Sequence, residues 1–169
     1  SGFIATTGVG NLIKTFPNAV CNIETNFDII KQPDVIFENQ GTLSLNQGAF
    51  NLQGSTTLAG KIIVNSGTTL FGTIDFDGDT LVNMGVLNCN SFDFSGDTKQ
   101  YLEGNGIITF MGLSNTFNLD VNGIITILDE LKLYQGKIFT TTNGKLILDS
   151  FCVVNNLDIQ NNWVIGTIQ

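Results

Sequence analysis

Three aspartates stand at alternate positions in Asp75-Phe-Asp-Gly-Asp79, and Asp93 and Asp97 follow about one repeat later. In an extended strand that spacing puts Asp75, Asp77 and Asp79 on one side and Phe76 on the other. Three carboxylates on one side could converge on a hard cation such as Ca²⁺, which makes them the candidate metal ligands of the chain. The pattern departs from a calcium-binding loop, because Val86 stands where a bidentate Glu would close it and no Gly-Gly-x-Gly-x-Asp run is present. Solvated outward aspartates are therefore the favoured reading. A second chemistry available to the same residues is acid hydrolysis of a glycosidic bond by two carboxylates, and Asp75 or Asp77 with Asp93 is the pairing to test.

What is missing narrows the field further. All seven basic residues are lysines, and the chain of 169 residues has no histidine and no arginine. There is no imidazole for a general base or a metal, and no guanidinium fork for phosphate or for guanine. A net charge of −8 repels nucleic acid and anionic lipid. A non-catalytic protein is expected, with no cofactor beyond the candidate calcium and no nucleic-acid partner. Cys21, Cys89 and Cys152 lie far apart in apolar surroundings and read as small buried hydrophobes rather than a disulfide framework. No apolar run approaches the ~18 residues of a membrane helix, so no membrane insertion is expected. Among the aromatics, Tyr101, Tyr134 and Trp163 are the candidate sugar platforms, while Phe50, Phe76, Phe92, Phe94, Phe110 and Phe117 sit at alternating positions and read as interior ladders.

The elements that must position these residues are short strands. Gly-x-apolar-x-apolar begins at Gly41, Gly48, Gly60, Gly72, Gly85, Gly106, Gly123 and Gly144. Each copy reads as a turn glycine followed by a strand whose alternate side chains face one way. Asn and Thr, 20 and 19 of them, fill the polar positions, as suits a chain rich in turns and strands. Several copies are spaced by 17 to 21 residues, the length of one coil of a stacked solenoid. Gly60 to Gly72 and Gly72 to Gly85 are shorter steps and require a change of face. At an offset of 21, Ile125/Leu146, Ile127/Leu148, Leu131/Cys152, Leu133/Val154 and Ile138/Ile159 superpose, so inward positions agree while outward ones vary. The expected fold is an all-β, single-stranded right-handed β-solenoid with about 17–21 residues per coil. A β-sandwich of hairpins ranks second, and no helix is expected. Residues 1–34, which carry both prolines, form an irregular first coil or cap, and residues 35–169 form the solenoid, read as a fragment of a longer protein.

The run from Phe92-Asp-Phe-Ser-Gly-Asp-Thr-Lys-Gln-Tyr-Leu-Glu-Gly-Asn-Gly-Ile-Ile-Thr-Phe110, through Thr116-Phe-Asn-Leu-Asp-Val-Asn-Gly123, to Leu131-Lys-Leu-Tyr-Gln-Gly-Lys-Ile-Phe-Thr-Thr-Thr-Asn-Gly-Lys-Leu-Ile-Leu148 resembles the repeats of large secreted surface proteins of Bacteroidetes. The resemblance covers residues 91–150. It implies an extracellular, non-catalytic stalk or adhesin segment whose partners are flanking repeats of the same chain, glycans or other cell-surface proteins. The alternative is a carbohydrate-binding or carbohydrate-active module, which would need a groove or an exposed row of aromatics on one face.

Overall fold

The structure is a computed structural model, and it describes residues 12–24, 29–31, 36–156 and 163–169. Every strand pairing in it is parallel, and the strands stack into a β-solenoid. Parallel stacking disposes of the hairpin sandwich, whose neighbouring strands would run antiparallel. No helix occurs among the described residues, and none is long and apolar enough to cross a membrane.

One sheet makes the first face of the rod. Its strands are Val20–Glu24, Thr42–Asn46, Lys61–Val64, Thr80–Asn83, Gln100–Gly104, the start of Asn118–Leu133, Lys137–Thr140 and Trp163–Ile165. A second sheet bends partway along each coil and so supplies two faces. Gly48–Leu58, Thr68–Phe76 and Ile107–Leu113 run through the bend as single strands, whereas Val86–Leu87 with Ser91–Phe94, and Lys145–Leu148 with Val153–Asn156, break there in two. Ile29–Lys31 begins the second face, and Leu12–Thr15 pairs separately with Ile36–Asn39.

The glycine pattern maps onto these faces. Gly41 and Gly60 precede first-face strands, Gly85, Gly106 and Gly144 precede second-face strands, and Gly72 lies at the bend. The short steps around Gly72 are thus the change of face that the spacing requires. Gly72 has φ +147°, and a Cβ there would lie 2.7 Å from the Leu52 carbonyl oxygen of the neighbouring coil. Only glycine lets the two backbones approach so closely at that dihedral.

Inward residues form columns along the axis. Leu43, Ile62, Leu81, Leu102 and Val121 stack on the first face, and Phe50, Leu70, Leu87, Ile108 and Ile127 on the second. Ile74, Phe92, Met111 and Leu131 do so on the third, and all these side chains are at most 2% exposed. The rings of Phe76, Phe92 and Phe94 meet with centroids 5.4 to 6.0 Å apart. Ile125, Ile127 and Leu146 are buried and pair at the offset of 21 as the repeat predicts, with Leu148 partly buried against the same core.

Three expectations need correction. Beyond Leu148 the offset changes: Leu131 pairs with Val154 and Leu133 with Asn156, because a turn over residues 149–152, closed by the Cys152 N–H donating to the Asp149 carbonyl at 2.9 Å, inserts two residues. Ile138 pairs with Val164 rather than Ile159, which lies outside the described residues. Phe117 is 51% exposed, since it follows a turn rather than continuing a strand, and Phe110 is only half-buried and outside the core. The coil length holds at 17 to 21 residues between Thr42 and Leu148 and lengthens at the ends, for example to 22 between Val20 and Thr42. Val20–Glu24 and Ile29–Lys31 already pair in register with the following coil, while residues 1–11, 25–28 and the proposed boundary at 34/35 lie outside the described residues.

Candidate functional site

Asp75 lies outward on the third face, between the buried Ile74 and Phe76, and its Cα is in register with Asp93 of the next coil. The alternation that would carry Asp77 and Asp79 to the same side ends with the strand at Phe76. Both are exposed in the turn that follows, where the Asp77 N–H donates to Leu58 and the Asp79 carbonyl accepts from the Tyr101 N–H. No group of three or more His, Cys, Asp or Glu side chains placed to hold a metal occurs among the described residues. The hydrolytic pairing is partly assembled: Asp75 and Asp93 are neighbours, and Asp77 is outside the strand.

The electrostatics of that pair follow from its position. Partial burial, and secondly the Asp93 carboxylate beside it, hold the Asp75 carboxyl above its ordinary value. Asp93 accepts a hydrogen bond from the Ser91 hydroxyl at 2.6 Å through Oδ2. Its Oδ1 is buried without a hydrogen-bond donor, folded over Gly112, where a side chain would collide with it. Two coils on from Asp93, past Gly112, Lys132 forms an ion pair with Glu130 at 3.0 Å. Charge on the third face therefore passes from two stacked acids to a neutralised pair.

The cysteines are free thiols packed in or against the core. Burial pushes the Cys89 thiol up to about 12, which removes it from nucleophilic chemistry near neutrality. Tyr101 is 39% exposed, with the Lys99 ammonium 5.4 Å from its ring centre and ion-paired to Asp120 at 2.6 Å. Tyr134 is 38% exposed, and of Trp163 only the backbone is described.

The bend between the second and third faces forms a concave feature that the sequence reading missed. An open groove of about 380 Å³ runs along it, lined by Asn51, Leu52, Gln53, Phe71, Gly72, Thr73, Asn88 and Asn90. Its floor is the seam of Leu52 and Gly72, where the chain turns and the side chain points inward or is absent. One wall is an outward column of Asn51, Phe71 and Asn88, and the other side is lined by Gln53, Thr73 and Asn90, of which Thr73 pairs in register with Ser55 and Ser91 across a bulge that holds Gln53. The backbone of the floor is already paired: the Asn88 N–H donates to Leu70 and the Asn90 N–H to Gly72, each at 2.8 Å. At one end the Thr109 hydroxyl donates to Asn88 Oδ1 at 3.2 Å. A signal was present in Leu70-Phe-Gly-Thr73, where the inward Leu70 forces Phe71 outward just before a glycine corner.

No family model, no curated protein and no solved structure matches the chain.

Proposed function

We propose that this solenoid is a structural or adhesive, non-catalytic segment of a secreted or cell-surface protein, holding other parts of an assembly at a fixed distance. The observation that supports it most directly is the continuous parallel ladder on three faces, filled inside by apolar columns from Leu43 to Leu146. Such a ladder makes each coil rigid against its neighbours, because every strand from Thr42–Asn46 to Lys137–Thr140 is hydrogen-bonded on both sides. A net charge of −8 keeps the outer surface soluble. The resemblance of residues 91–150 to secreted surface repeats points the same way. Val153, Val154, Ile165 and Ile168, each about half exposed, offer apolar surface to a flanking repeat.

The test is where the chain sits and what it turns over. Antibodies against the folded protein should label intact cells that make it, and purified protein should release no product from neutral or acidic polysaccharides. Labelling only after permeabilisation would overturn the surface role. Turnover lost in Asp75→Asn or Asp93→Asn would overturn the non-catalytic one.

A further inference from the structure

We propose that the groove along the bend is a binding site for a neutral, extended oligosaccharide. The inference rests on the adhesive part of the function proposed above, and it adds the ligand class and the residues. Three properties of the groove select that chemistry.

The first is charge. In a chain of net charge −8, the side chains lining this groove are all uncharged. A charged ligand would find no counter-ion in the lining, whereas a neutral one is not repelled there.

The second is the hydrogen-bonding inventory. Asn51, Gln53, Asn88 and Asn90 each carry a carboxamide, and Thr73 adds a hydroxyl, so both walls present donors and acceptors together. Sugar hydroxyls likewise donate and accept. Between the amides of Asn51 and Asn88 stands the half-buried Phe71 ring, an apolar surface suited to the C–H face of a pyranose.

The third is the state of the floor. A peptide captured by strand addition needs free backbone N–H and C=O groups along a sheet edge. Here the groove lies over the middle of a sheet, where the backbone of Asn88 and Asn90 already donates to the preceding coil. Recognition must therefore come from side chains. The wall of Asn51, Phe71 and Asn88 repeats at the coil spacing of ~4.8 Å along three coils, so an extended chain lying parallel to the rod axis meets one of its side chains at each step.

Titration calorimetry of the whole chain with short neutral oligosaccharides cut from β-glucan, xylan, mannan and galactan tests this. At least one should bind with a dissociation constant on the order of 1 mM or tighter. Phe71→Ala and Asn90→Asp should each weaken it about tenfold or more, the second by placing a carboxylate in the wall without loss of volume. Val82→Thr, on the first face, should leave binding unchanged, and thermal melts should show all three variants folded. The proposal is overturned if no neutral oligosaccharide binds, if binding survives in Asn90→Asp and Phe71→Ala, or if polyuronate fragments or peptides occupy the groove instead. Failure here alongside labelling of intact cells would leave the structural role standing.

Discussion

Asp75 and Asp93 put two carboxylates at adjacent rungs of one face, an arrangement that cross-strand pairing disfavours. Because Asp75 titrates higher in the folded chain than its ordinary value of 3.8, the fold binds that proton more tightly than the unfolded chain does. Stability should therefore fall as pH rises from 3.8 through the raised folded value, and stay reduced at neutral pH. Asp75→Asn removes the repulsion, and melts at neutral pH should rise by up to about 4 °C, taking like-charge pairs at roughly 0.2–1 kcal/mol. The gain should vanish in acid. For calcium, melts with the ion in millimolar excess and with chelator should differ by less than about 5 °C and be insensitive to Asp77→Asn, since a site saturated a hundredfold above its dissociation constant would contribute about 2.7 kcal/mol. The spacing Asp75-x-Asp-x-Asp79 announced three carboxylates on one side but not where the strand stops. The strand ends at Phe76, and two residues on, a Cβ at Gly78 would collide with the carbonyl of Gly60 one coil away, a closeness between residues 18 positions apart that no local pattern records.

At the scale of the strand, apolar alternation was the legible part, because each rung buries one side of itself whatever its neighbours do. Ile127 lies fully buried between Ile108 and Leu148, so Ile127→Ala should lower stability by about 2–5 kcal/mol, measured by denaturant titration. Corners were less legible. Between the third face and the first, the buried Gln100 amide donates to the Phe76 and Gly78 carbonyls, each at 2.8 Å. Asn115 donates to the Thr98 carbonyl at 2.7 Å and to Gln100 Oε1 at 2.8 Å, and its own oxygen accepts from the Phe117 N–H at 2.7 Å. This relay satisfies turn groups of three successive coils, yet in the sequence Gln100 and Asn115 are two amides among many. Gln100→Leu keeps the volume but removes the partner of the Gly78 carbonyl and of one Asn115 amide N–H, while the Phe76 carbonyl keeps the Ser95 N–H at 3.0 Å, so a loss of roughly 1–3 kcal/mol per group left unpaired is expected in the same titration. Asn115→Ala should couple non-additively with it, because the two share a hydrogen bond. The slip of two residues after Leu148 has a similar cause: the Asp149 carboxylate accepts from the Phe151 N–H at 3.1 Å and holds a turn that the periodicity of earlier coils does not contain.

The molecule as a whole is a stack in which each coil touches only the coils beside it, and that was visible in the repeat itself, in the matched inward positions and free outward ones. What the repeat could not display is the bend that divides the second sheet, since it arises where Gly72 meets Leu52 and where residues 88–90 separate Val86–Leu87 from Ser91–Phe94, features that differ from coil to coil. The parallel register has a kinetic consequence. All its pairings join residues 17 to 26 positions apart, about an eighth of the chain, whereas a sandwich of this length must close much longer loops before its sheets meet. Although no helix occurs among the described residues, a pairing separation of about an eighth of the chain falls in the range of mixed helix-and-strand domains rather than of sandwiches. Stopped-flow refolding should accordingly outpace that of antiparallel sandwiches of equal length. Formation of two neighbouring coils should limit the rate, because each later coil closes a loop of only about twenty residues onto a template already in place.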